Sequence, residues 1–431
     1  MHVLLIHQAF AGPNDPGGTR HYELGRSLVA NGHRVTIVAS ATNYLTGLSG
    51  DGGDGDLPAG MRIIRVGGGS ELHRSYWARA KAFVAFARAA LAAALRIEDV
   101  DVVWGTSPPL VQVLPAWLAS LRCRGGLVFE ERDLWPEFAI GMGVIRDGAL
   151  ARAAVAFKRF MYARARTVVI NSPGFLPFVQ RHGVPREKIH VIPNGVDVTQ
   201  FHPEERGDDL RREWDADGRF VVLYAGALGP ANGLDVVLDA ARSLADTAAL
   251  FVLLGDGKAR PTLERRAREL GLSNVLFVSA KPKHLMPRYI AAADACLATL
   301  QDIPLFRTTY PNKVFDYMAG GRAVLLGIDG VIREVVDDAN AGRFFAPGDA
   351  DALAAAVREL LADRAATRAM GERGRAAVCE RFDRRTQAAQ IEALFRGLVG
   401  RDAADDAAFV ERGAVGDTAR GREAAEVRVL R

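Results

Sequence analysis

In the stretch YPNKVFDYMAGGRAVLL, residues 310–326, Lys313, Asp316, Tyr317 and Gly320 recur at i, i+3, i+4 and i+7. That spacing puts them on one stripe of a helix. Val314, Phe315 and Met318 are left to face a core. A lysine in a first helical turn opposes the helix dipole by about 0.3–1 kcal/mol. A bound diphosphate removes the objection, because free N–H groups and the ammonium then face the same anion. Asp316, one turn deeper, can accept hydrogen bonds from two ribose hydroxyls. Gly320-Gly321 ends the helix.

Other loops repeat the theme. Gly17 and Gly18 follow the apolar run 2–6 and precede a helix start near Thr19, where backbone can approach an anion. LYAGALGPANGLD, 223–235, places glycines including Gly229 between a strand and a helix. LLGDGKARPTLE, 253–264, ends a strand with Gly255 and Gly257 and then presents Lys258 and Arg260, a pattern suited to phosphate. The first loop carries no Gly-x-Gly-x-x-Gly, and no Gly-x4-Gly-Lys-Ser/Thr occurs in the chain. Both facts weigh against a dinucleotide dehydrogenase and a P-loop NTPase.

These loops need strands and helices to hold them. HVLLI (2–6), RVTIVAS (34–40), MRIIRV (61–66), VDVVWG (100–105), GLVFEE (126–131) and TVVIN (167–171) read as buried parallel strands. A second series comprises 220–226, 249–255, 274–280, 295–300 and 323–327, with helical patterns at 233–245, 259–270, 284–293, 312–319 and 350–362. The polar segment 189–209, with the turn dipeptide Asn194-Gly195, reads as a connection. The expected architecture is α/β: two doubly wound parallel sheets facing across a cleft. The expected boundaries are a first domain over 1–192, a linker over 193–207 and a second domain over 208–380. A helix over 381–399 is expected to return to the first domain, ahead of a disordered tail over 400–431.

The bulk numbers narrow the class. The chain has 431 residues, enough for two or three domains, and a formal net charge of +4, too mild to point to a nucleic-acid partner. Cys123, Cys296 and Cys379 are far apart and odd in number, which favours a reducing compartment. The N-terminal apolar run, Val3–Ile6, is too short for a signal-peptide core, and no apolar stretch is long enough to span a membrane. Between 72 and 97, Arg74, Arg79, Lys81, Arg88 and Arg96 occur without an acid and interleave with Trp77, Phe83, Phe86 and Leu91. Between 149 and 166, Arg152, Lys158, Arg159, Arg164 and Arg166 do the same. Such basic, apolar segments suit an anionic membrane surface. Asp54-Gly55-Asp56 sits in a glycine-rich loop and is set aside as a metal motif.

With these residues in view, the span from about 1 to 398 resembles the family-4 glycosyltransferases of the GT-B fold. The matching pieces are Gly17-Gly18, GHRVTIV (32–38), VIPNGVD (191–197), LYAGALG (223–229), LLGDG (253–257) and PNKVFDYMAGGRAVLL (311–326). TSPPL (106–110) and ERDLWPE (131–137) resemble the subgroup that builds O-antigens, capsules and exopolysaccharides, some of whose members transfer N-acetylfucosamine. The resemblance implies retaining transfer of a sugar from a nucleotide-diphosphate donor, UDP-linked on family frequency, without a cofactor or essential metal. It implies a polyprenyl-diphosphate-linked acceptor and a peripheral position on the inner face of the cytoplasmic membrane.

Carried onto this chain, the donor side comprises Gly17, Gly18, Gly229, Gly257, Lys258, Thr308, Thr309, Tyr310, Asn312, Lys313, Asp316 and Tyr317. Glu131, Arg132 and Asp133 are the catalytic candidates, with Arg20 and His21 towards the acceptor. Three departures matter. Thr308 stands where the family has the first glutamate of its Glu-x7-Glu motif, and Asp316 replaces the second. Ala227 and Asn232 stand where many members carry an Arg/Lys pair. Arg132 stands where many have a histidine. A nucleotide-sugar epimerase and a non-catalytic nucleotide-sugar binder remain open as alternatives.

Overall fold

The computed structural model describes residues 1–42, 57–67, 76–146, 148–202 and 205–400, with backbone only for 76–80. Asp54–Asp56, Arg74, the side chains of Trp77 and Arg79, and 401–431 lie outside the described residues.

The first domain alternates strand and helix: β1 (His2–Ile6), α1 (Arg20–Ala30), β2 (Arg34–Ser40), β3 (Met61–Val66), α2 (Tyr76–Ala94), β4 (Val102–Ser107) and α3 (Val113–Ser120). It continues with β5 (Leu127–Glu131), α4 (Glu137–Gly141), α5 (Ala149–Arg164), β6 (Thr167–Ile170), α6 (Leu176–Arg181) and β7 (Ile189–Val191). The second domain opens with α7 (Asp208–Glu213), β8 (Phe220–Ala225), α8 (Asp235–Ser243), β9 (Ala249–Leu254), α9 (Arg260–Glu269), β10 (Val275–Val278) and α10 (Met286–Ala291). Then follow β11 (Ala295–Thr299), α11 (Asn312–Ala319), β12 (Ala323–Gly327), α12 (Val331–Asp338), β13 (Gly342–Phe344), α13 (Ala350–Ala362), α14 (Arg364–Arg381) and a last helix α15 at 384–400.

All strand pairs are parallel. The orders are β3-β2-β1-β4-β5-β6-β7 and β10-β9-β8-β11-β12-β13. The continuous Val, Ile and Leu runs follow from burial on both faces, and all five residues of β1, β5, β11 and β12 are buried. Each sheet has an apolar cluster on either side. Fully burying one such side chain contributes about 1.5–3 kcal/mol.

Two strands escape a hydrophobicity reading. β7 lies inside the segment expected to be connection, yet Ile189, His190 and Val191 pair with Val168, Val169 and Ile170. β13 pairs Gly342, Arg343 and Phe344 with Val324, Leu325 and Leu326. Both are three-residue edge strands with partly exposed side chains, so neither forms an apolar run. The last helix packs on the first domain. In α15, Ala388, Ile391, Phe395 and Leu398 join Val3, Leu5, Leu24 and Trp104 in one cluster, and the Phe395 ring meets Trp104 at 5.5 Å.

Candidate functional site

In each sheet the strand order reverses at one point, between β1 and β4 and between β8 and β11. Doubly wound sheets bind ligands outside the carboxyl ends of the strands at such points. The loops that emerge there are those singled out above, and the two sets meet across the domain boundary. A Cβ on Gly18 would lie 3.9 Å from Asn312 Nδ2, at the first turn of α11. Ser172 Oγ donates to the Thr308 carbonyl at 2.5 Å, and Asn194 Nδ2 to the Tyr310 carbonyl at 2.7 Å. The Lys283 N–H donates to the Asp15 carbonyl at 3.4 Å.

On the second-domain side, Lys313 Nζ sits 3.9 Å from the centroid of the Tyr224 ring. A Cβ on Gly226 would lie 2.8 Å from that nitrogen, and Gly226 has φ of +149°. Glycine is therefore required for the ammonium to reach this loop. Lys313 is half-buried by area but enclosed at longer range, so it is poorly hydrated. That lowers its pKa to about 7, although Asp316 pulls the other way. Asp316 is 14% exposed and ion-paired with Lys283. Burial raises the Asp316 pKa and Lys283 opposes the rise. The loops after β8 and β9 touch backbone to backbone, since a Cβ on Gly255 would overlap the Gly226 carbonyl and one on Gly257 would lie 2.6 Å from the Leu228 carbonyl. Lys258 stands exposed on the turn beyond Gly257. Asn232 Nδ2 bonds the Ala227 carbonyl at 2.9 Å beside Gly229, closing that loop without a cation.

One expected donor contact, Tyr317, is corrected, while the side chains of Thr308, Thr309, Tyr310 and Arg260 are engaged locally. Tyr317 is 1% exposed. Its hydroxyl accepts from the Ala225 N–H at 2.8 Å and lies 3.2 Å from the Ala225 carbonyl, so it braces β8. The Thr308 and Thr309 hydroxyls donate to the Leu305 and Phe306 carbonyls at 2.7 and 2.8 Å, which occupies their protons. Tyr310 packs its ring against Phe315 and Phe382. Arg260 bonds Asp256, Glu264 and the Gly255 carbonyl, so it shapes the phosphate-type loop from within. Asn312, by contrast, has a buried Oδ1 without a partner among the described residues.

On the first-domain side, adjacent residues of β5 point to opposite faces. Glu130 accepts from Arg20 Nε at 2.9 Å and meets His21 Nε2 at 2.6 Å, all three nearly sealed from solvent. The rest of the Arg20 guanidinium donates to the Ile192 and Pro193 carbonyls at 2.8 Å each. Arg20 is thus corrected from an acceptor contact to an anchor of the linker, and His21 to a buried partner of Glu130. Burial alone would raise the Glu130 pKa, but His21 and Arg20 hold it far below the usual carboxylate range. Glu131 points the other way, fully buried, and accepts from the Tyr162 hydroxyl at 2.6 Å. Burial pushes its pKa up to about 7. It supports α5 and does not face the cleft.

Arg132 and Asp133 do reach accessible surface. Arg132 Nε donates to Thr106 Oγ1 at 2.7 Å and Nη2 to the Pro108 carbonyl at 3.1 Å, so the TSPPL loop holds it. Asp133 is exposed by area yet enclosed at longer range, and poor hydration pushes its pKa up to about 6 against the pull of Arg132. Lys158, counted above among surface cations, is instead sealed, with Nζ 2.5 Å from Glu137 and 4.7 Å from the Phe178 ring centroid.

Two groups at the site were missed. His7 follows β1 at the strand-order reversal, and neither ring nitrogen has a partner among the described residues. Burial, with Arg132 and His21 nearby, keeps it neutral. Its place directly after a switch-point strand was the available signal. Lys283 could not be found this way, because only folding brings it to Asp316 from 33 residues upstream.

Comparison with known proteins agrees with this geometry. Residues 17–195 match the glycosyl transferase 4-like domain family, and 207–377 match the glycosyl transferases group 1 family. The GDP-mannose-dependent alpha-mannosyltransferase of Mycolicibacterium smegmatis is 31% identical over 274 residues, 63% of this chain and 67% of that one. The putative colanic acid biosynthesis glycosyl transferase WcaI of Escherichia coli is 27% identical over 205 residues, 46% of this chain and 50% of that one. The chain thus spans about half to two thirds of these relatives' length. Anabaena HepE, crystallised with UDP-glucose, superposes with a TM-score of 0.71 at 20% identity, covering 92% of this chain and 100% of that one. The fold is GT-B.

Proposed function

The chain belongs to the glycosyl transferases, 4-like in its first domain and group 1 in its second, and on that premise we propose that it moves a hexose or N-acetylhexosamine, with retention, from a nucleotide diphosphate to a polyprenyl-diphosphate-linked saccharide in cell-surface polysaccharide synthesis. The observation that carries this reading is Lys313 over Gly226, one turn before Asp316, with the helix start opposite Gly17-Gly18. The diphosphate binds at the N-terminus of α11 with Lys313 as counter-charge, and Lys258 approaches from the loop after β9. Asp316 exchanges Lys283 for ribose hydroxyls. When the bond from the anomeric carbon to phosphate oxygen breaks, the electron pair leaves with the diphosphate. Lys313 and backbone N–H groups stabilise that charge. The acceptor hydroxyl attacks from the same face and its proton passes to the departing phosphate oxygen. Asp133 orients that hydroxyl and Arg132 holds the acceptor's charged group.

UDP is the favoured nucleotide, supported by the UDP-glucose bound to HepE. GDP is a second reading, supported by the mannosyltransferase relatives. Incubation with UDP-, GDP- and dTDP-sugars, with and without lipid-linked acceptor, tests the proposal. Nucleotide release that requires acceptor supports it. Acceptor-independent isomerisation, or binding without turnover, overturns it. In the same assay Asp133→Asn is expected to slow transfer about 10²-fold, the cost of losing orientation of the acceptor hydroxyl, and to remove the rise in rate through pH about 6 that ionisation of this carboxyl produces. Wild-type rates in folded Asp133→Asn and Arg132→Ala proteins would withdraw both assignments.

The same reading places the protein on the inner face of the cytoplasmic membrane. Among the described residues no helix is long and apolar enough to cross a membrane. Among the described residues, the exposed large apolar side chains Val84, Leu95, Leu121, Val144, Leu150 and Phe160 all belong to the first domain. Exposed Lys81, Arg88, Arg152 and Arg159 stand among them on α2 and α5. Vesicles containing phosphatidylglycerol should co-float the protein at moderate salt, and an Arg152→Glu/Arg159→Glu variant should stay behind. No flotation of the wild type would sink the membrane claim.

A further inference from the structure

A cavity of about 320 Å³ lies in the first domain against α2, α3 and α5, with a wall that includes Phe83, Leu110, Leu114, Trp135, Ala154 and Phe157. Its lining is apolar almost throughout. Such a half-open apolar lining favours hydrocarbon over polar groups. Its position links it to Arg132 and Asp133. Pro109, another wall residue, follows Pro108, whose carbonyl holds Arg132. The Trp135 N–H donates to the Asp133 carbonyl at 2.7 Å. From the other side, Leu150, Ala154 and Phe157 are spaced i, i+4, i+7 and so form one stripe of α5. That stripe runs from Leu150, 74% exposed beside Arg152, into the cavity wall. The apolar groove therefore lies next to the loop that holds Arg132, with the α5 stripe on its other side.

We propose that this cavity holds the first isoprene units of the acceptor's polyprenyl chain, with the charged head of the same molecule towards Arg132. The proposal rests on the lipid-linked acceptor reading above. It commits to an isoprenoid because that acceptor carries hydrocarbon and diphosphate in one molecule, which matches an apolar groove beside the loop that holds a guanidinium. The cavity would then position the lipid end of the acceptor and measure its distance from Asp133.

The test uses the full chain and farnesyl diphosphate as probe, read by tryptophan fluorescence, with inorganic diphosphate and dodecyl phosphate as comparators. Wild type is expected to bind farnesyl diphosphate at least tenfold tighter than either comparator. Val111 also lines the wall, and Ala154→Phe and Val111→Phe, two separate ways to fill the space, are each expected to remove that margin while leaving UDP and GDP binding unchanged, which also reports that they are folded. Equal affinity for farnesyl and inorganic diphosphate overturns the proposal. So does dodecyl phosphate binding as tightly as farnesyl diphosphate, which would assign the slot to membrane acyl chains. So does indifference of the filled variants. A wild type that binds farnesyl diphosphate through the cavity but binds no nucleotide would sink the donor reading and leave this inference standing.

Discussion

Replacing Lys313 with alanine will lower the transfer rate by about 10²–10³-fold, the usual cost of removing one preorganised group that stabilises developing charge. The loss should be large here because Ala227 and Asn232 bring no cation to the loop after β8, which Asn232 closes with its amide, and Arg260 is committed to Asp256 and Glu264. Donor affinity should fall as well, since the ammonium lies over the loop where the diphosphate is proposed to bind. The pH dependence has a definite sign. In the free protein Lys313 titrates at about 7, and a bound diphosphate raises that value. Donor binding then takes up a proton above pH 7, and affinity falls towards tenfold per pH unit as pH rises. With Asp133 ionising at about 6, kcat/KM should peak between about 6 and about 7. Lys313→Ala should abolish the alkaline limb and keep the acid one. A variant with unchanged rate, affinity and pH profile would refute the role. Lys313→Met should also raise the melting temperature of the empty protein below pH 7, where wild type holds a poorly hydrated ammonium.

Glu130→Ala should destabilise the first domain by about 3–5 kcal/mol, because it leaves Arg20 buried without its counter-charge. The expected readout is an early first transition in urea, with the second domain's transition little changed. The sign with pH follows from the depressed pKa. The ionised carboxylate stabilises the fold above its unfolded value near 4.5, and that contribution drains away as pH falls towards the folded value. Wild-type stability should therefore drop more steeply in acid than that of the variant. A loss under about 1 kcal/mol would mean that Arg20 finds other acceptors. Arg20 also holds the Ile192 and Pro193 carbonyls, so the variant should loosen the linker and admit protease near 192–200.

Much of the architecture was legible because both sheets are parallel. Strands buried on both faces write themselves as unbroken apolar runs, and β1, β2, β3 and β12 occupy the runs expected for them. β7 and β13 were not legible as strands, since a three-residue edge strand is held by its neighbour's backbone and needs no apolar signature. Lys313 and Asp316 were legible as a pair on one stripe because helical spacing is a local property. The partners of buried charges were not. Tyr317 shares that stripe, yet its ring is drawn inward to Ala225. Arg20 and His21 carry the chemistry of an anion site and instead pair with Glu130, 110 and 109 residues away in sequence.

By itself, then, the sequence determined the rhythm of strand and helix, the two-sheet class and the local stripes that can meet a diphosphate. These depend on periodicity and on backbone freedom at glycine, which act over a few residues. The tertiary structure decided which charged groups are spent inside and which reach the cleft. It paired Lys283 with Asp316, sealed Glu131 against Tyr162, left Arg132 and Asp133 at accessible surface, and hollowed an apolar slot beside them. That sorting depends on which low-dielectric positions find a counter-charge, and the counter-charge usually comes from a distant part of the chain.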